Sequence, residues 1–200
     1  MLENITGHLI IVMAPTGSGK GTLIKDALEH FPDLETTISC TTRPQRPGET
    51  HGKEYYFLTT AEFEQKKAAG EFLEWAVFGK YQYGTLKSEI LPRLEAGKMV
   101  ITEIELQGVE QLHSLIQAEH MTTVFIEAGG WDTLKKRALD RAPMTEEELS
   151  HRYERYLVEI VAKDKADVVI NNTQDDFTPA KLAFHQLINE LQSRVYNSIK

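Results

Sequence analysis

The nine residues Ala14-Pro15-Thr16-Gly17-Ser18-Gly19-Lys20-Gly21-Thr22 constrain this chain more than any other stretch. They follow an apolar run, Leu9-Ile10-Ile11-Val12-Met13, that reads as a fully buried strand. They precede Leu23-Ile24-Lys25-Asp26-Ala27-Leu28, which reads as a helix. Strand, glycine-rich turn, lysine and helix form the context that a phosphate-binding loop requires. The glycines let backbone N–H groups turn toward a polyphosphate, the new helix adds its positive end, and Lys20 adds a mobile charge. The usual pattern is G-x-x-x-x-G-K-[ST]. Here Ala14 replaces the first glycine, Gly21 stands where a hydroxyl would meet Mg²⁺, and Thr22 comes one place late. A glycine-rich turn without a ligand is the plain alternative. Gly19-Lys20 in this setting favours a nucleoside triphosphate site.

A length of 200 residues implies one domain with small insertions. The hydrophobic share of 41% is enough for a core, and a net charge of −8 repels polyanions, so neither nucleic acid nor a membrane surface is expected as a partner. Cys40 is the single cysteine, so no intrachain disulfide can form. It reads as a packing residue in a reducing cytoplasm. No apolar run approaches a membrane span, and Met1-Leu2-Glu3-Asn4 lacks the basic start of a secretory signal.

Phe31-Pro32-Asp33 stops the first helix, and Glu35 to Thr42, rich in β-branched residues, reads as a short strand. The stiff loop Arg43-Pro44-Gln45-Arg46-Pro47-Gly48-Glu49 holds two arginines whose forks match phosphate oxygens. Two solvated arginines would be the plain reading of that loop alone. An aromatic strand is expected over Gly52–Leu58, a helix from Ala61 to Ala69 capped by Thr60, an extended piece over Glu71–Phe78, and a turn over Gly79–Thr85. Glu74 sits among apolar neighbours and needs hydrogen-bond donors if buried. A helix from Leu86 to Ala96 is interrupted or kinked at Pro92.

Met99–Glu105 reads as a second buried strand whose carboxylates, Glu103 and Glu105, share one face. Acids ending a strand beside a phosphate loop point to Mg²⁺ or the phosphate acceptor. A helix over Gln107–Ala118 and a strand over Thr122–Ile126 follow. From Trp131 a basic helix carries Arg137 and Arg141, Pro143 breaks it, and Thr145 caps a second helix carrying Arg152 and Arg155. Arg137, Arg141 and Arg152 are candidates for a lid over the phosphates, although any one of them alone would read as solvated charge. A short strand over Asp167–Asn172 precedes a closing helix, Pro179 to Val195, with Leu182, Leu187, Leu191 and Val195 near its apolar face. The fold class is therefore α/β: a mainly parallel sheet with helices on both faces, and a small α/β insertion over about 36–84.

With these residues in view, the chain closely resembles guanylate kinases over nearly its whole length. The most specific segment is Ser39-Cys40-Thr41-Thr42-Arg43-Pro44-Gln45-Arg46-Pro47-Gly48-Glu49, followed by Gly52 and Tyr55. It is similar to the family's S-x-T-T-R-x-x-R-x-G-E-x-x-G-x-x-Y signature. Glu74-Trp75-Ala76, Tyr83-Gly84-Thr85, Glu105-Leu106-Gln107-Gly108 and Asn171 follow in matching order. The resemblance implies a P-loop core (1–35, 86–130 and 160–200), a GMP-binding region (36–85) and a helical lid (131–159). It implies that Arg43, Arg46, Tyr55 and Tyr83 hold the GMP phosphate, while Ser39, Glu74, Thr85 and Glu105 read guanine, with Gly84 in the same segment. Residues 14–22 and Asn171 would bind ATP. Lys20, Arg43, Arg137, Arg141 and Arg152 would serve transfer of the ATP γ-phosphoryl to GMP with Mg²⁺ bound to ATP.

Three departures from the family pattern stand out. Gly21-Thr22 resembles adenylate kinases instead, Glu103 and Glu105 replace an Asp-x-Asp pair, and Arg141-Ala142-Pro143 replaces Arg-Gly. Direct Mg²⁺ ligation by the loop is therefore not expected, and Glu103 and Thr22 are candidates for contact through water. Two competing readings are a guanylate-kinase-like binding module and a monophosphate kinase with another acceptor. Retention of Lys20, Arg43 and the lid arginines argues against the first. Glu74, Ser39 and Thr85 argue against the second, because a carboxylate accepts from guanine N1–H and its 2-amino group but meets an unprotonated N1 in adenine. A monomer or small homo-oligomer is expected.

Overall fold

The structure is a computed structural model that describes residues 2, 4–141, 143–174 and 176–198, without the side chains of Arg141, Asn197 and Ser198. In chain order the elements are β1 (His8–Met13), α1 (Lys20–His30), β2 (Leu34–Thr36), β3 (Cys40–Thr41), β4 (Tyr56–Phe57), α2 (Thr60–Ala68), β5 (Phe72–Phe78), β6 (Tyr81–Leu86) and α3 (Lys87–Glu95). They continue with β7 (Met99–Glu103), α4 (Leu106–Leu112), β8 (Met121–Glu127), α5 (Trp131–Arg141), α6 (Glu146–Glu159), β9 (Val168–Asn171) and α7 (Thr178–Ser198).

Strands β2-β7-β1-β8-β9 form one sheet in which every pairing is parallel. Parallel strands need crossovers, and helices supply them, so both faces are covered. That explains why β1 is apolar at successive positions instead of alternating. Ile10 and Val12 face the side packed by Leu23 and Ala27 of α1 and by Phe184 and Ile188 of α7. Leu9, Ile11 and Met13 face the opposite side, with Ile90 and Leu94 of α3 and Val109 and Leu112 of α4. The period-2 geometry of a strand thus feeds two cores from one run of residues.

A second sheet, β4-β3-β6-β5, is mixed: β3 pairs parallel with β4, while β3–β6 and β5–β6 are antiparallel. Its small core contains Cys40, Phe63 and Phe72, with the two phenyl rings stacked 4.4 Å apart. Burial pushes the Cys40 thiol up to about 12, which suits the packing role. α5 and α6 are pinned to each other by Trp131, whose ring centroid lies 5.1 Å from that of Tyr153.

Several elements depart from the sequence-based expectations. The single strand over Glu35–Thr42 is two: β2 joins the main sheet and β3 the second, with Thr37, Ile38 and Ser39 crossing between them. Of Gly52–Leu58, only Tyr56–Phe57 pairs as strand. Gly79–Thr85 is not a turn: β6 occupies Tyr81–Leu86 and pairs with β5 on one edge and β3 on the other. Gly84 permits this, because a Cβ there would lie 2.9 Å from the Glu74 carbonyl oxygen. The cap of α2 is Thr59, in a reciprocal capping box with Glu62, and not Thr60. α3 runs through Pro92, and α4 ends at Leu112, well before Ala118. On α7 the buried positions are Ala180, Phe184, Ile188 and Leu191, whereas Leu182 is 64% exposed. The apolar stripe is rotated because Phe184 and Ile188, not Leu182, meet the sheet.

His8 is buried at the start of β1, its Nε2 lying 2.8 Å from Thr122 Oγ1. Burial, reinforced by the charge of His120, lowers its pKa to about 4. The unfolded chain therefore takes up a proton there that the folded chain refuses. His8 leaves stability intact above its ordinary value of 6.5 and subtracts on the order of 3 kcal/mol as pH falls from there to about 4. Buried Glu74 has the opposite sense, since its raised pKa favours folding at the acidic end of the same window. The informative quantity is consequently a difference. Relative to the parent, His8→Gln should gain stability steadily as urea unfolding is repeated from neutral pH down to about pH 5. Parallel profiles for the two proteins would refute this role.

Candidate active site

The turn after β1 is built by backbone conformation. Gly17 and Gly19 have φ of 95° and 88°, in the left-handed region that side chains disfavour. Gly19 is also crowded, since a Cβ there would lie 2.5 Å from the Phe177 ring and 2.8 Å from the Asn172 amide. Asn172 is buried, and its Nδ2 donates to the Ser18 carbonyl at 2.7 Å. Its backbone N–H donates to Glu127 at the end of β8. The turn is thus fastened from behind by the loop after β9. Residues 16–22 line a pocket of about 320 Å³. A larger open groove of about 520 Å³ lies beside His30 and α7, at the other end of α1 from Lys20.

Lys20 Nζ lies 2.6 Å from Glu103 Oε2 at the end of β7. The two carboxylates expected on one strand face part company here. β7 ends at Glu103, and Glu105 becomes the N-cap of α4, its side chain turned to Arg155 Nη2 at 3.1 Å. A Cβ at Gly21 would lie 3.9 Å from Glu103 Oε1, so there is room for a small side chain between loop and carboxylate. No group of three or more His, Cys, Asp or Glu side chains fit to hold a metal occurs among the described residues. Glu103 is a single carboxylate paired with Lys20 of the pocket, and Thr22 is an exposed part of the pocket lining. That donor set fits Mg²⁺ only as an ion carried in on nucleotide phosphates and keeping its waters.

The second sheet gathers the remaining groups. Glu74 on β5 is 4% exposed, lies opposite Thr85 on β6 and takes hydrogen bonds from it. Ser39 Oγ is 3.2 Å from Thr85 Oγ1. Burial pushes the Glu74 carboxyl up to about 7, against the pull of Thr85. Gly108, in α4, abuts this carboxylate so closely that any Cβ would overlap Glu74 Oε2. Gln111, also on α4, clasps the β5 backbone by donating to the Trp75 carbonyl at 2.6 Å.

Arg43 is buried between Tyr55 and Phe57, its guanidinium carbon 5.6 Å from each ring centroid. It donates to both Glu49 oxygens, at 3.0 and 2.8 Å, and Glu49 also accepts the Arg46 backbone N–H. The Arg46 side chain itself is exposed. Tyr55 and Tyr83 have ring centroids 6.1 Å apart. Burial, with the Glu103 charge second, lifts the Tyr55 phenol to about 12, so it remains a hydrogen-bond donor.

The helical pair is less convergent than the sequence implies. Arg137 Nη2 donates to the carbonyls of Asn172 and Gln174, at 3.1 and 2.9 Å, and its buried Nη1 has no hydrogen-bond partner among the described residues. Arg152 is half-buried on α6. Arg141 ends α5, and its side chain lies outside the described residues. Asn171 is exposed and accepts from Thr173, while its neighbour Asn172 reaches the loop. Sequence reasoning missed Asn172, Glu49, Gly108, Arg155 and Glu159. Glu49 stands inside the quoted signature, and Arg155 and Glu159 show i,i+4 spacing. Gly108 closes the quoted Glu105-Leu106-Gln107-Gly108 segment, but its contact with Glu74, like the reach of Asn172 to the loop, arises from packing between distant elements.

Comparison with known proteins follows the same direction. Residues 6–190 match the family model described as guanylate kinase. A protein of Nostoc sp. named guanylate kinase is 40% identical over 176 residues, which span 88% of this chain and 86% of that protein. One of Thermosynechococcus vestitus with the same name is 39% identical over 183 residues, covering 91% and 93%. The crystal structure of guanylate kinase from Anaplasma phagocytophilum superposes with a TM-score of 0.72, over 96% of this chain and 87% of that one, at 24% identity, a likeness of fold.

Gly108→Ala should disturb Glu74 without touching the phosphate loop. Its Michaelis constant for the acceptor nucleotide should rise about tenfold or more, with that for the donor little changed. An unchanged acceptor constant in a variant that still folds would dispose of the idea that Gly108 shapes this pocket.

Proposed function

Since the chain belongs to the guanylate kinase family, and so transfers the γ-phosphoryl group of ATP to GMP, we propose that the residues described above divide that reaction between two sheets. The observation that carries the assignment is Glu74: a buried carboxylate beside Thr85 and Ser39, within the electrostatic reach of Glu105 at the end of the main sheet. Guanine offers N1–H and a 2-amino group as donors, and Glu74 accepts both. Arg43, Arg46, Tyr55 and Tyr83 take the GMP phosphate.

The turn of residues 14–22 takes the ATP phosphates through its backbone N–H groups and Lys20. Mg²⁺ carried in on ATP would be held through water by Glu103 and Thr22 and would neutralise charge on the phosphates. The rest of the work is positional. In-line transfer needs no covalent intermediate, so the chain orients the two phosphates and surrounds them with fixed donors. Lys20 must exchange Glu103 for phosphate, and Glu49 must share Arg43 with phosphate. Arg137, Arg141 and Arg152 act from the lid once α5 and α6 close. Asn171 is assigned to the adenine side, with Asn172 holding the loop. We assign the protein to the cytoplasm. No helix among the described residues is long and apolar enough to cross a membrane.

Purified protein with ATP and Mg²⁺ should release ADP with GMP and not with AMP, UMP or CMP. Glu74→Gln should lower the preference for GMP over AMP by roughly a hundredfold. An unchanged preference would remove Glu74 from base recognition. In the parent, GMP binding selects the Glu74 carboxylate over its acid. Affinity should therefore fall as pH drops through about 7, and calorimetry near that pH should detect proton release on binding. Proton-neutral binding there would contradict the assignment.

A further inference from the structure

Arg155 takes no part in the phosphate chemistry just described, yet it occupies the junction of the site. Its Nε donates to Glu159 Oε1 at 2.5 Å, and its Nη2 donates to Glu105 Oε1 at 3.1 Å. Its guanidinium carbon lies 4.1 Å from the centroid of the Phe78 ring at the end of β5. Buried Glu159 uses its second oxygen to accept the backbone N–H of Thr16 at 3.0 Å. One planar cation therefore meets the second sheet and the start of α4 directly. Through Glu159 it also reaches the turn after β1.

Only a guanidinium has the shape for this. It presents separate N–H donors to two carboxylates while stacking its flat face on a ring, whereas an ammonium is a point charge. Glu105 shows the effect. It stands at the N-cap of α4, where a side chain commonly caps the helix, but it makes no capping bond and turns to Arg155 instead. Three carboxylates meet here, Glu103, Glu105 and Glu159, and Lys20 is already paired with Glu103. Burial raises the Glu105 carboxyl, and Arg155 is the strongest influence drawing it down.

We propose that Arg155 is a positioning residue for base recognition, which presents Glu105 to the acceptor pocket and, through Glu159, ties that pocket to the Thr16 amide of the donor loop. The idea rests on the GMP-binding assignment above and adds a coupling between the two substrate sites. Glu105 then reads the base as an oriented carboxylate. Occupation of either pocket is felt at the other through a chain of three charged side chains.

The test compares the parent with Arg155→Met, which keeps length and loses the charge, and with Arg155→Lys, which keeps the charge and loses the fork. Arg155→Met should raise the Michaelis constant for GMP about tenfold. The acid limb of kcat/KM for GMP should move to higher pH, because Glu105 loses its principal cation. The other groups around Glu105 are Glu159 on α6, Lys20 on α1, Glu103 on β7, Glu74 on β5 and the Tyr55 phenol, all present in each variant. Arg155→Lys should return the limb toward its parental position while leaving the GMP constant raised. Combining Arg155→Met with Glu105→Gln should be no worse for GMP than Glu105→Gln alone.

The donor arm has its own readout. A non-hydrolysable ATP analogue, titrated without GMP, should bind Arg155→Met about threefold more weakly than the parent. The proposal is overturned if the GMP constant and the acid limb are those of the parent, or if the losses in the double variant simply add. A general loss of melting temperature with the limb unmoved would likewise mark Arg155 as structural only. If the parent itself fails to phosphorylate GMP, the acceptor assignment falls instead, and the analogue titration still decides whether Arg155 supports the Thr16 loop.

Discussion

The carboxyl-terminal edge of the parallel sheet is the constraint on which the rest depends. β1 is paired on both sides, with β7 and β8, and cannot slide by one residue without exchanging its apolar side chains between two differently packed cores. Its register therefore fixes where the Pro15–Gly19 turn begins. The ends of β7 and β9 then bring Glu103 and Asn172 to the same edge. Parallel strands present all their carboxyl ends together, which is why one lysine, one carboxylate and one asparagine from distant parts of the chain meet there.

Charge balance explains how an acidic protein binds two anions. Two of the cations expected to face phosphate already have carboxylate partners: Lys20 has Glu103 and Arg43 has Glu49. Such pairing avoids leaving partly buried charges uncompensated before substrate arrives. It also holds Arg43, wedged between Tyr55 and Phe57, at a set height. Phosphate binding then becomes an exchange of anionic partners. Glu74 is the exception. Among the described residues it has Thr85 but no cation as partner, and burial leaves its carboxyl near neutrality in pH terms. A carboxylate in that condition gains most from a ligand that brings N–H donors.

Close approach is the second theme. Gly19 against Phe177 and Asn172, Gly84 against the β5 backbone, and Gly108 against Glu74 are three places where a missing Cβ sets how two elements meet. At Gly19 the fit accompanies a left-handed φ, whereas Gly84 and Gly108 serve space alone. Each joins the site to its support: loop to β9, strand to strand, and helix to carboxylate.

The sequence by itself determined the strand–loop–lysine–helix unit, because hydrophobic period, glycine conformation and helix polarity are all local properties. It also determined the α/β class, since apolar runs alternating with amphipathic ones can only be buried as a covered parallel sheet. The ordered motifs from Ser39 to Asn171 identified the family, which depends on residue identity and not on contacts. Tertiary structure alone decided that Tyr81–Leu86 is a central strand, since a Gly- and Tyr-rich stretch becomes a ladder only when β3 and β5 flank it. It decided that Glu103 and Glu105 diverge, because the chain turns into α4 between them. It also decided that Asn172, not Asn171, braces the loop and that Arg155 joins Glu105 to Glu159. Asn172 to Ser18 and Arg155 to Glu105 span tens of residues, and no local pattern in the sequence encodes which distant partner a polar side chain will meet.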